Sequence, residues 1–321
     1  MIKWLHLKCF NFLLNRQKLF PLLFALVFRK RVMPEKLYRY RPLGKSESQL
    51  AWLKIAIENE ELYCSKARDF NDPFDAHSIL PSKDYHTYYD RKKVEALENI
   101  IKIFKSVIFD ENEANSSFEN TDLEELKNFT VNDYMEKDIM EINDIFNEKL
   151  EFARIACFSE TSTNMPMWWH YSNERNGVCI EFDTKKLSED MSNHIFPVVY
   201  SDKKIDVVKL LLKYVTKCAK KKITQNDFDF ISSVLICLPA MQKHEDWSYE
   251  KEWRYLDFIN DHENNGISAN FIKPSKIILG DKIGSSDESE LIKISAKHDI
   301  PICKITITNH GLEETKVSGM K

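Results

Sequence analysis

Short segments that read as strands recur along this chain without the regular strand–helix–strand spacing of a doubly wound sheet. "KLYRYRPL" (36–43) reads as a strand closed by Pro42 and Gly44. "SESQLAWLKIAIENEEL" then places Leu50, Leu53, Ile57 and Leu62 at helical spacing, with Ser46 or Ser48 as the cap. "ELYCS" (61–65) is a short strand, and further strands follow at "ARIACFSETS", "GVCIEFD", "IFPVVYS", residues 248–258, "SKIILG" and "ICKITIT". A short helix starting near Pro166 and another over 287–298 lie between them, and residues 205–245 read as helical. The order predicts an α+β fold.

Composition bounds the rest. With 321 residues, 43% hydrophobic and 30% charged, the chain can bury a sizeable core. Residues 1–32 carry seven Lys or Arg and no acid, so against a total of -4 the remainder stands at about -11. That balance argues against a broad nucleic-acid surface on the body. The seven cysteines are widely spaced with no Cys-x-x-Cys pair, so no zinc ribbon or thioredoxin-like site is read, and a reducing cytoplasm is expected. No metal site is expected.

"LFPLLFALVF" in the N-terminal stretch is apolar over ten residues only, whereas a spanning helix needs roughly 20. It reads either as a basic amphipathic anchor giving peripheral membrane contact or as a loosely attached extension before Met33; the second is preferred. Residues 33–321 then form a single domain, with a charged helical insertion over about 85–154.

Standard fingerprints are missing: no Gly-x-Gly-x-x-Gly follows a strand, and Gly280 and Gly284 lack the Lys-Ser/Thr of a phosphate loop. What stands out is polar residues on strands beside aromatics. Arg39 and Arg41 alternate with Tyr38 and Tyr40, and a guanidinium held so suits phosphate or ribose. Asn71, Asp72 and Asp75 surround Pro73 in a turn. Trp168, Trp169 and Tyr171 cannot share one helical face, so at least one meets a ligand or a second element. In "SYEKEWRYL" (248–256), Glu250, Glu252 and Arg254 point one way and Tyr249, Lys251, Trp253 and Tyr255 the other. That polar face is either the wall of a site or a salt-bridged strand.

In this order "LYRYR", "LYCSKARDFNDPFD", "CFSET...MWWHYS...GVCIEFD", "YEKEWR" and "KIILG" resemble an uncharacterised bacterial family, catalogued as domain of unknown function 2971. The resemblance covers roughly residues 36 to 310 without much of the acidic insertion. That family's pattern is similar to ADP-ribosyltransferase-like folds, which build an NAD cleft from a split β-sandwich. The resemblance implies that Arg39 holds the nucleotide and that Tyr63 and Ser65 line the nicotinamide side, or that Ser159, Thr161 and Ser162 do so instead. Asn71, Trp168 and Tyr171 join the NAD site, and Glu252, with Glu250 beside it, carries the catalysis. A carboxylate there would stabilise the oxocarbenium-like cation formed as nicotinamide leaves.

The activity so implied is that of an NAD-dependent ADP-ribosyltransferase or NAD glycohydrolase, a toxin or phage-defence effector whose acceptor is protein, nucleic acid or water. Two alternatives remain: a metal-dependent nuclease using Asp183 and Lys185, and a non-catalytic nucleotide-sensing domain.

Overall fold

The structure, a computed structural model, describes residues 32–70, 72, 75–76, 150–204, 237–259 and 266–317. The chain divides into two compact units. The first comprises Met1–Leu19, Pro73–Phe152 and Lys203–Gln242. Among its described residues Leu150, Phe152, Cys237 and Met241 are buried. The expected N-terminal extension up to residue 31, the insertion up to residue 149 and the helical stretch 205–236 lie outside the described residues. Among the described residues no helix is long and apolar enough to cross a membrane.

The second unit, Phe20–Asp72, Ala153–Asp202 and Lys243–Lys321, holds an open ten-stranded sheet, mostly antiparallel, and is α+β. Its strands are β1 (Lys36–Arg41), β2 (Glu61–Lys66), β3 (Ala153–Ser159), β4 (Val178–Asp183), β5 (Ile195–Pro197), β6 (Glu252–Phe258), β7 (Gly266–Asn270), β8 (Lys276–Leu279), β9 (Ile302–Thr308) and β10 (Gly311–Lys316). They run in the order β10-β9-β8-β4-β1-β3-β2-β7, while β6 pairs with both β3 and β5. The β8/β9 pair is parallel, its crossover made by helix α3 (Ser285–Lys297).

The pairing of β3 shapes the molecule. One edge of β3 follows β6 along its whole length, from Ala153↔Phe258 to Ser159↔Glu252. Its other edge is shared: β2 takes the start, through Ser65↔Ile155 and Lys66↔Arg154, and β1 takes the end, through Tyr38↔Ser159. β1 and β2 therefore diverge from a common neighbour and leave a wedge between them. Helix α1 (Glu47–Glu58) joins the two strands. It buries Leu53 and Ile57 against the sheet and ends at Asn59, after which Glu60 turns the chain with φ 55.

Cross-strand partners share a face, which sorts the side chains. Leu37, Phe158, Ile180, Trp253 and Tyr255 lie on the face covered by α1 and α3, with Leu291 and Ile294 of α3. Tyr40, Cys179, Ile278, Ile305 and Leu312 lie on the other, covered by helix α2 (Met165–Tyr171) through Met167 and Trp168. α2 starts where the sequence places it, because the Asn164 side chain accepts the Met167 N–H and Pro166 occupies the first turn.

Candidate functional site

β1 alternates by period two, so Leu37, Arg39 and Arg41 face α1 while Tyr38 and Tyr40 face α2. Arg39 reaches into the wedge. Its Nη2 donates to the Tyr63 carbonyl of β2 at 2.6 Å, and its guanidinium stands 5.8 Å from the Phe158 ring centre. Its Nη1 is buried and meets no hydrogen-bond partner. An unpaired buried donor costs about 1–3 kcal/mol, more when charged, so such groups mark places where a partner arrives from outside.

The wedge holds an open cavity of about 370 Å³, lined by Arg39, Arg41, Trp52, Ile55, Glu61 and Tyr63 over a floor that includes Leu62, Ile180 and Phe182. The lining carries two guanidinium groups and one carboxylate, that of Glu61, which accepts from the Asn59 side-chain amide at 3.2 Å. Burial pushes Arg39 below its ordinary value. Arg41 is pushed down to about 10 by burial and, next, by the charge of Arg39. Burial is the main cause of both shifts, and an anion in the cavity would offset its cost.

Residues 248–258 depart from the expected strand. Glu245–Glu250 form a 3-10 helix, and Lys251 takes a left-handed conformation with φ 46. β6 begins only at Glu252, and both of its faces are buried. The kink still brings the two acids together. Glu250 Oε2 accepts from Lys243 Nζ at 2.6 Å, and its Oε1 accepts from the Tyr171 hydroxyl at 2.6 Å. Glu252 accepts from Arg254 Nε at 2.8 Å, from Arg254 Nη2 at 3.2 Å and from Lys243 Nζ at 3.3 Å. The Glu252 N–H donates to the Tyr200 hydroxyl. Glu250, Glu252, Lys243 and Arg254 are each at most 5% exposed.

Lys243 bridges the two carboxyl groups, and Arg254 adds a second cation on Glu252. Burial works against ionisation of Glu252, but Arg254 and then Lys243 outweigh it and hold the carboxyl well below the usual range. Burial, and next the charge of Glu252, raise Glu250 to about 7. Lys243 is raised above its ordinary value because Glu252 and Glu250 overcome its desolvation. Every carboxylate oxygen in the cluster has a cation or hydroxyl on it, and such groups are held rather than offered.

The acid face of 252–254 therefore does not line the cleft expected with Arg39. Ser159 pairs with both Glu252 and Tyr38, which puts Glu252 on the α2 face, whereas Arg39 projects from the α1 face. The structure brings Arg39 and Tyr63 together and places Glu250 and Glu252 behind the sheet. Trp168 is fully buried, donates Nε1–H to the Ser162 carbonyl and packs edge-on to Tyr40, so it is core and not a ligand platform.

Tyr171 and Ser159 serve the cluster, Ser159 by donating to the Glu250 carbonyl at 2.6 Å. The Thr161 carbonyl accepts from Tyr40, and the Ser162 hydroxyl donates to Glu314. Ser65 sits half-buried in β2 between Ile155 and Gly266. Asn71 lies outside the described residues.

The nuclease pair is accounted for locally. Asp183 accepts the Lys185 N–H and meets Lys36 Nζ at 3.2 Å, while Lys185 pairs with Glu35 on the surface. Among the described residues no group of three or more His, Cys, Asp or Glu is placed to hold a metal.

Residues 167–255 match the family model described as Protein of unknown function (DUF2971). Neither a curated protein nor a solved structure matches the chain. The DUF2971 stretch runs from α2 to β6 and contains Tyr171, Lys243, Glu250, Glu252 and Arg254. Arg39, Arg41 and the helix α1 that roofs the cavity precede it.

Two participants escaped the sequence reading. Lys243 lies in a stretch read as helix, and nothing local marks it as the partner of two acids. Trp52 did carry a signal, since it falls off the Leu50–Leu53–Ile57 stripe of α1.

Proposed function

We propose that the wedge between β1 and β2 binds an anionic nucleotide, that NAD is the ligand, and that the protein consumes it as an ADP-ribosyltransferase or NAD glycohydrolase. The observation that carries the binding half is the unpartnered Nη1 of Arg39, set with Arg41 at a cavity open to solvent. A phosphate oxygen on Nη1 would complete the fork that Nη2 begins on Tyr63. The catalytic half rests on the resemblance to the NAD-cleft folds, and the wedge that β1 and β2 leave beside β3 is the opening such a cleft needs. In this reading Glu252 fixes β6 against β3 from behind the site.

A second reading, a nucleotide-binding domain without turnover, is favoured by the burial of both Glu250 and Glu252. Calorimetry with NAD and chromatography for released nicotinamide separate the two. Arg39→Ala should weaken NAD binding at least tenfold, and Arg39→Lys should weaken it less, because Lys keeps the charge but loses the planar fork. Equal and negligible effects of both would overturn the assignment of the cavity. Binding without nicotinamide release in the wild type would establish the second reading.

A further inference from the structure

The geometry points to Trp52 as the platform on which the heteroaromatic ring of the bound nucleotide stacks; this rests on reading the wedge as a nucleotide site. Helix α1 faces the core with Leu53 and Ile57, yet it turns Trp52 outward at 61% exposure and Ile55 at 44%. Single exposed apolar side chains are ordinary on protein surfaces. These two are not scattered: they stand three residues apart, adjacent on the helix surface, and both line the cavity that holds Arg39 and Arg41. Tyr63, 37% exposed, lines it too. Of the seven large hydrophobic side chains most exposed among the described residues, three are gathered at this one cavity.

The cavity thus sorts its chemistry. Guanidinium groups offer fixed donors, and beside them an indole face and an isoleucine offer flat apolar surface. A ligand that satisfies both carries phosphate at one end and a flat ring at the other. The Trp52 indole supplies area and a π face at little entropic cost, because it has two rotatable bonds.

Titration calorimetry with two probes, ADP and inorganic pyrophosphate, tests the assignment on wild type, Trp52→Ala and Trp52→Phe. Base–aromatic stacking removed by alanine costs about 5- to 150-fold in affinity. Trp52→Ala should therefore weaken ADP by that range and leave pyrophosphate within about twofold, while Trp52→Phe should keep most of the ADP affinity. A parallel loss for both probes would show that Trp52 shapes the cavity and does not stack. ADP bound equally well by wild type and Trp52→Ala would also overturn the inference, leaving the arginine site standing. Failure of the wild type to bind either probe would overturn the nucleotide reading itself, and the Trp52 assignment with it.

Discussion

Substituting Glu252 by Gln removes a carboxylate charge that two buried cations, Arg254 and Lys243, share. Gln keeps the volume and one oxygen, so the 2.8 Å bond from Arg254 Nε survives. Its amide NH₂ must then face the donors that Glu252 Oε2 accepted, Arg254 Nη2 at 3.2 Å and Lys243 Nζ at 3.3 Å. Arg254, 0% exposed, loses its carboxylate partner. Breaking one side of such a buried pair costs about 3–5 kcal/mol, which lowers Tm by roughly 6–20 °C for a chain of a few hundred residues.

The same charge sets an acid dependence. Because Glu252 is held below its ordinary value, its stabilisation is complete above pH 4.5, the ordinary glutamate value, and is lost as pH falls below that. Thermal and urea unfolding of wild type and Glu252→Gln between pH 3 and 7 should therefore converge toward the acid end. Pairing Glu252→Gln with Arg254→Gln removes both members of the ion pair and should recover part of the loss relative to the sum of the singles. At 25 °C, ADP affinity of the folded single variant should stay within about twofold, since Glu252 lies on the opposite sheet face from Arg39. A variant of unchanged Tm that loses nicotinamide release would refute this reasoning and restore Glu252 to the chemistry.

Three more outcomes follow from the same geometry. Arg39→Met deletes the unpaired donor together with the 2.6 Å bond to the Tyr63 carbonyl, so unfolding stability should stay within about 1 kcal/mol in urea titrations while ADP binding falls at least tenfold. Lys251→Gly relieves the left-handed backbone at φ 46 and should raise stability by about 0.5–1 kcal/mol, read from the urea midpoint at constant m-value. Glu250, raised to about 7, keeps in the folded state a proton that the unfolded chain releases near 4.5, so its contribution to stability should fall as pH rises from about 4.5 to 7. Glu250→Gln should flatten that slope in urea titrations from pH 5 to 8.

Much of the second unit could be read directly. Short runs that read as strands fall on β1, β3, β4 and β9, and the Leu50–Leu53–Ile57 stripe falls on α1. The carboxylates of 248–256 were visible as a polar face, but alternation alone assigns residues to faces without saying what covers them. Lys243 and Tyr171 arrive from elsewhere in the chain to close over that face, and a single left-handed residue, Lys251, takes Glu250 off the strand. Nor does any local pattern show β1 and β2 sharing one edge of β3, because pairing across more than 80 residues leaves no periodic trace. Arg39 was legible as a strand arginine between tyrosines; its empty Nη1 required the wedge.

The shared edge also fixes an order of events during synthesis. β1 and β2 are consecutive strands that never pair with each other, and the α1 connection between them leaves no hairpin to form early. Their partners begin with β3 at Ala153, followed by β4 and, last, β7 at Gly266. A ribosome that has released residue 70 has therefore delivered Arg39 and Arg41 on a segment whose strands have their described partners still to come. Closing such long loops is slow because their entropy is lost before any contact is gained. The cavity between β1 and β2 is completed only after Gly266 has emerged, and a nascent chain halted before that residue carries Arg39 and Trp52 without the strand that pairs with β2.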